Sequence, residues 1–282
     1  MSALVFNCDY NGLGLIHSLG RKGVKVFALD SKRSIGTRSK YAKYIYTPDP
    51  LTDVGGFIDL LMDIKVDDQK KPLLLPTNDQ WAEAVAAHAD ELSKKYTICT
   101  PDTETINLVL DKFCFANWAK LLDIEVPDVW STEETRLLLD SDIVKYPVAV
   151  KAKGRRSIGQ SPLASSGARN ADRMRFVPCK NNEELLAALN LADELGVDCY
   201  CQQVVMGDSS CMRTIGIYAN KGEIKGLFYG RKVRGFPARF GDCVVGEALP
   251  VPGWAREYAE IIARELNYTG IAEIEFMEDA DS

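Results

Sequence analysis

Residues 146–161 read YPVAVKAKGRRSIGQS, and their types and order suit a polyphosphate. Val148, Ala149 and Val150 form a short apolar run of β type that ends on Lys151. A lysine at the exit of a buried strand is costly unless a partner holds its charge. A loop with Gly154, Ser157, Gly159 and Ser161 follows at once. Such a loop exposes backbone N–H groups and adds no bulk, which is what an anion needs. Arg155 and Arg156 add charge there, either for phosphate or as solvated surface groups. The segment also suits a strand with a snorkelling lysine and a mobile surface loop, so its reading depends on what accompanies it.

Two more clusters accompany it. Arg231, Lys232, Arg234 and Arg239 share one β-rich stretch, GRKVRGFPARFGD. Arg231 and Lys232 must point to opposite faces of a regular strand, so only part of this charge can serve one site. Arg231 and Arg239 are the candidates for phosphate or acyl-phosphate contact, although basic side chains also protect edge strands. Glu273 and Glu275 sit two apart and face the same way. Like charges on one face are unfavourable unless water or a cation relieves them, and magnesium accepts such carboxylate oxygens.

Other chemistries lack their residues. The chain holds eight cysteines without a C-x-x-C pair and only two histidines, His17 and His88, which argues against a zinc site. Cys199 and Cys201 share a face but have no histidine nearby. The thiols read as reduced and partly buried, as in a cytosol. The net charge of −6 argues against nucleic acid as the main partner. No stretch approaches the ~18 apolar residues of a membrane span, and the N-terminus has no basic targeting region, so a cytoplasmic protein is expected.

The elements that must position these residues are α/β in type. The 282 residues suit about two domains. A strand at 3–8, a helix near 13–22 and a strand at 24–30 make a β-α-β opening, which predicts a parallel sheet. Helical spacing at 53–65, the strand PLLLP, a helix at 79–95 and a strand at 96–100 continue it to about Pro101. The pattern predicts one helix over 103–122. Strand 147–152, a helix from about 182 with Asn181 and Glu184 as its capping pair, and strand 198–205 follow. Beyond 212 the chain is mostly β, with a hairpin signal at Asn220–Gly222, then helix 254–266 and strand 270–277.

Taken in order, these segments resemble the ATP-grasp superfamily, in particular its carboxylate–amine ligases. DYNGLGLIHSLGRKGVKVFALD and SKYAKYIYTPDP are similar to the N-terminal domain, DKFCFANWAKLLDIEVPDVW to the opening of the nucleotide-binding lobe, CQQVVMGD to the linker between lobes and GIAEIEF to a magnesium-binding strand. The resemblance implies a Rossmann-like α/β domain at 1–101, a nucleotide-binding α+β lobe at 102–205 and a second, incomplete lobe at 206–282. It implies ATP and Mg2+, with Lys112, Lys151 and Ser157 on the phosphates. Gln202, Gln203 and Val205 would hold the base, with Val204 beside them. Asp208 would take a ribose hydroxyl, Ser209 being its rival. Glu275, with Glu273, would hold the metal. The implied reaction activates a carboxylate as an acyl phosphate for attack by an amine, on amino-acid-like substrates. The implied partners are those small molecules, with a homodimer left open, and neither nucleic acid nor membrane.

The chain departs from the family's pattern in ending at EDADS, before an E-x-N-P-R-like phrase. The expectation is a fragment of a longer ligase, inactive as it stands. A nucleotide-binding module without ligase activity is the alternative. Gly12, Gly14 and Gly20 after a strand also faintly suit a dinucleotide fingerprint, but Gly20 comes late and Asp30 early for that pattern.

Overall fold

The apolar runs of the first hundred residues become the strands of a parallel sheet. A computed structural model of the chain describes residues 1–66, 69–139, 141, 143–153, 166–236 and 242–278. It divides into two units, Met1–Ile106 with Thr269–Ile271, and Asn107–Tyr268 with Ala272–Ser282.

The first unit contains β1 (Ser2–Phe6), α1 (Tyr10–Gly20), β2 (Lys25–Asp30), β3 (Ala42–Tyr46), α2 (Val54–Asp63), β4 (Leu73–Pro76), α3 (Asp79–Ala87), α4 (Ala89–Leu92) and β5 (Thr97–Ile98). The sheet order is β3-β2-β1-β4-β5, all parallel, as the β-α-β opening requires. Strand alternation sorts the core onto two faces. Leu4, Phe6, Phe27 and Leu29 pack with Phe57, Leu61, Trp81 and Val85. Ala3, Val5, Val26 and Ala28 pack with Ile16. The expected helix at 79–95 is interrupted at His88, whose N–H turns to the Ala86 carbonyl while its Nδ1 lies 3.0 Å from the Ala84 oxygen.

Gly12 and Asp30 of this unit have structural employment. A Cβ on Gly12 would stand 2.9 Å from the Asn7 carbonyl oxygen, so the close approach of α1 to that loop needs a glycine. Asp30 is buried and turns inward, accepting from the Cys8 N–H at 2.8 Å and the Ser34 hydroxyl at 2.6 Å. A ribose acid must face a ligand, and this carboxylate is engaged inside the loop.

The second unit follows α5 (Thr103–Leu110) with α6 (Lys112–Lys120), β6 (Val129–Ser131), α7 (Thr132–Leu138), β7 (Val148–Ala152), α8 (Ser166–Arg173), β8 (Val177–Cys179), α9 (Asn182–Leu195) and β9 (Cys199–Gln203). Its first sheet, β6-β9-β7-β8, is antiparallel. Val148, Val150, Cys199 and Cys201 pack on Leu185, Ala188 and Leu189 of α9. Asn181 caps α9 by accepting from the Glu184 N–H at 2.9 Å, as its spacing predicts. Residues 166–173 are helical, as α8.

A second sheet, β12-β11-β10-β13, is built from β10 (Met212–Asn220), β11 (Glu223–Phe236), β12 (Asp242–Ala248) and β13 (Gly270–Met277), with α10 (Gly253–Glu265) on one face. The N-K-G signal is a two-residue hairpin turn, with Lys221 and Gly222 both at positive φ between the paired Asn220 and Glu223. Ile215, Ile217 and Tyr229 pack against Ala255, Ala259 and Ala263. A further cluster links α6 to α10 through Ala119, Ile124 and Ile262, with Trp118, Tyr258 and Ile274 against it. All eight cysteines are free. Among the described residues no helix is long and apolar enough to cross a membrane.

Candidate functional site

Strand alternation aims Lys151 away from the α9 core. Val148 and Val150 point into that core, so Ala149 and Lys151 point to the other face of β7. The antiparallel register sets Tyr200 opposite Lys151 and Gln202 opposite Ala149. Lys151 Nζ donates to Gln202 Oε1 at 2.9 Å and lies 5.6 Å from the centre of the Tyr200 ring. Burial, and after it the charge of Lys112, pulls the Lys151 ammonium down from its ordinary 10.5 to about 8. Two lysines held this way form a site that an anion would relieve.

Lys112 owes its place to a helix start inside the expected 103–122 helix. Asp111 ends α5 and caps α6, its Oδ1 accepting from the N–H groups of Phe113 and Cys114, both at 3.0 Å. A carboxylate at a helix N-terminus satisfies free amides and the helix dipole together. Lys112 is thereby the first residue of α6 and is exposed. Phe113 packs its ring 5.7 Å from that of Tyr200.

Three neighbours were not singled out from sequence. Lys153, two residues beyond Lys151 and on the same face, lies 5.1 Å from the Phe113 ring and pairs with Asp198 at 3.3 Å. With Asp111, Cys114, Asn107, Leu108 and Leu110 it lines a cleft of about 370 Å³. Tyr200 is 2% exposed, and its hydroxyl has no hydrogen-bond partner among the described residues. Burial, with Asp111 adding to it, pushes that hydroxyl up to about 12. The alternation K-A-K in the sequence was a readable signal for Lys153. Asp111 and Tyr200 needed the helix break and the strand register.

At the end of β9, Gln203 donates its N–H to the Asp128 carbonyl at 2.8 Å and Val204 donates its own to Pro147 at 3.0 Å. The Val204 amide is therefore engaged within the lobe. Val205 lies next along the chain, half-buried. Asp208 is exposed, and its Oδ1 accepts from the Ser210 hydroxyl at 2.5 Å and the Ser210 N–H at 2.7 Å. Those two bonds hold its carboxyl below the usual carboxylate value.

On β13, Ala272, Ile274 and Phe276 face the α10 core, which leaves Glu273 and Glu275 together on the opposite face. Burial and then the charge of Glu275 hold the Glu273 carboxyl above its ordinary value, while a hydrogen bond to Thr214 opposes both. A divalent cation would remove that mutual repulsion. Among the described residues no group of three or more His, Cys, Asp or Glu could hold a metal, and two carboxylates alone would leave the other positions of a magnesium ion to water or ligand oxygens.

The basic cluster divides as alternation requires, and Arg231 lies on the other side from the carboxylates. It stands opposite Arg213, on the Tyr229 face of β11, and pairs with Glu247 at 2.8 Å. Lys232, 8% exposed, is the member of the cluster that shares the Thr214 face. Ser157, Arg155, Arg156 and Arg239 lie outside the described residues.

No protein-family model matches the chain, and no curated protein matches it. Solved structures do. The biotin carboxylase domain of Hydrogenobacter thermophilus 2-oxoglutarate carboxylase, crystallised with MgADP, ADP and bicarbonate, matches with a TM-score of 0.66 at 18% identity, over 100% of this chain and 62% of that one. Staphylococcus aureus N5-carboxyaminoimidazole synthetase with ADP gives 0.67 at 15% identity, over 99% and 67%. An L-amino acid ligase from Bacillus licheniformis gives 0.61 at 16% identity, over 100% and 64%. The chain thus spans 62% to 67% of the length of these three. At such identities the likeness is one of fold: the chain has the fold of the ATP-grasp ligases.

Proposed function

We propose that the protein is an ATP-dependent carboxylate–amine ligase acting on amino-acid-like substrates. The observation that carries this reading is Lys151, whose ammonium is drawn down by burial and then by the charge of Lys112, and which donates to Gln202 on the same face. The fold adds support, since two of the neighbours were crystallised with ADP and a third is an L-amino acid ligase.

In this reading the carboxylate oxygen of one substrate attacks the γ-phosphorus of ATP. The bond to the β,γ-bridging oxygen breaks and ADP leaves. The amine nitrogen of the second substrate then attacks the acyl carbon, the acyl C–O bond breaks, phosphate leaves, and the nitrogen loses its proton to solvent. The chain supplies positioning and charge rather than a covalent nucleophile. Lys112, Lys151 and Ser157 hold phosphate oxygens, as compact donors can. Gln202, Gln203 and Val205 border the base, and Asp208 borders the ribose. Glu275 and Glu273 hold Mg2+, which neutralises charge on the phosphates when bound. Lys232, which shares the carboxylate face, contacts phosphate or acyl phosphate rather than Arg231, and Arg239 does so with it. Residues 1–101, 102–205 and 206–282 serve as acceptor-side domain, nucleotide lobe and metal lobe.

The test is ADP release with a panel of carboxylates and amines, with hydroxylamine as a trap for the activated acyl group. The assay is run on this chain and on a version extended past Ser282. Hydroxamate formed by the extended version, only with ATP and a carboxylate, is the expected result. Tight nucleotide binding with no ADP release from any pair in either version favours the second reading, a nucleotide-binding module without ligase chemistry.

A further inference from the structure

Arg213, near the start of β10, joins two segments that the proposed reaction must keep in register. One of its terminal nitrogens donates to the Ser210 carbonyl at 2.6 Å, in the turn just after the linker. The other forms an ion pair with Glu278, the residue that follows β13 and lies three beyond Glu275. Its side chain is only 13% exposed, whereas that of Glu278 is 51% exposed. The guanidinium is therefore largely enclosed, and an enclosed charge is costly without partners.

The surrounding backbone repeats the tie. The Glu278 N–H donates to the Cys211 carbonyl at 2.9 Å. Gly207 runs at φ +151°, and a Cβ there would stand 3.0 Å from Cys211 Sγ and 3.2 Å from Met277 Cε. The linker is thus pressed against the end of the carboxylate strand. Across the sheet, Arg213 lies directly opposite Arg231, which has its own partner in Glu247. Like charges facing each other on neighbouring strands repel, so each arginine depends on its own glutamate to stay in place.

We propose that Arg213 is a positioning residue that locks the linker at 204–208 to the carboxylate strand β13. It fixes where Glu275 and Glu273 stand relative to a nucleotide held by the linker. The planar fork of an arginine can hold a carbonyl and a carboxylate at once, which a lysine cannot do with the same geometry. The inference rests on the reading of the linker as nucleotide-binding and of β13 as metal-binding.

The experiment is calorimetric titration of ADP, with and without Mg2+, into the wild-type chain, Arg213→Ala, Arg213→Lys and Glu278→Gln. In wild type Mg2+ should tighten ADP binding. In Arg213→Ala the metal-free affinity should change by less than about twofold, while the Mg2+ enhancement falls by about tenfold, the scale of a lost charge-assisted contact. Arg213→Lys should recover part of the enhancement, and Glu278→Gln should behave like Arg213→Ala. Should Arg213→Ala fail to fold, the other two variants decide the matter. An unchanged Mg2+ enhancement, or an equal loss with and without Mg2+, overturns the positioning role. A wild-type chain that binds no nucleotide overturns instead the ligase reading on which it rests.

Discussion

Lys151 carries an unusual charge for its place. Its folded pKa is about 8 against an ordinary 10.5, so between those values the unfolded chain binds the extra proton. Stability must therefore rise with pH through that window, and at pH 7 the full penalty of the charged form is present. Lys151→Met should remove the rise and stabilise the ligand-free protein at pH 7 by about 1 kcal/mol, the side chain being partly solvated. Chemical denaturation at pH 7 and pH 9.5 measures it. Phosphate would do the reverse of burial and hold the proton on. ADP binding at pH 8 should then take up a proton, seen as a buffer-dependent enthalpy, and affinity should weaken by up to about tenfold from pH 7 to pH 9. Binding with no proton uptake at pH 8 would count against Lys151 on the phosphates. Lys151 was readable from sequence because a lysine after three apolar residues is anomalous. Tyr200 was not, because only the pairing of β7 with β9 puts it opposite Lys151. Arg231 and Lys232 were known to diverge, but which of them faced Glu273 depended on the sheet's choice of core face.

The element that places Lys112 is the start of α6. Continuous apolar spacing over 103–122 predicts one helix, and periodicity is blind to a carboxylate that captures two amides. Asp111 does so, and the break makes Lys112 a first-turn residue. Asp111→Ala should cost about 0.5–2 kcal/mol, the usual loss of a capping side chain, and should also weaken ADP binding by letting Lys112 move. Asp111→Asn keeps an acceptor oxygen and should recover most of both. Thermal melts and ADP titrations read the two effects separately. Full ADP affinity in a destabilised Asp111→Ala would detach Lys112 from the phosphate site. Elsewhere local chemistry and pattern agreed, and those elements were legible: the Asn181 cap, the N-K-G hairpin and the β13 alternation. The break at His88 and the short β6 had no comparable local signal, since each depends on contacts made by only a few residues.

At the scale of the second unit, α6 has two employments. Its first residue is Lys112, and its far end packs on α10 and on Ile274 of β13, between Glu273 and Glu275. One short helix thus spans from Lys112 to the strand that carries Glu273 and Glu275. Ala119 is wholly buried and Ile262 is 4% exposed at that contact. Neither is itself proposed to meet the nucleotide. Truncating Ile262 leaves a cavity where α6 meets α10, and such truncations cost about 2–5 kcal/mol because a packed interior closes only partly. If α6 transmits position, Ile262→Ala should also lower MgADP affinity several-fold, while Ile262→Val, which keeps most of the volume, should lose about 0.5–1.5 kcal/mol and bind nearly normally. The comparison of the two guards against a merely unfolded fraction, provided binding is titrated where both remain folded. A stable fraction of Ile262→Ala that binds MgADP as tightly as wild type would show that the lobes hold their site without this helix. The lysine pair and the carboxylate pair would then be positioned independently, each by its own sheet.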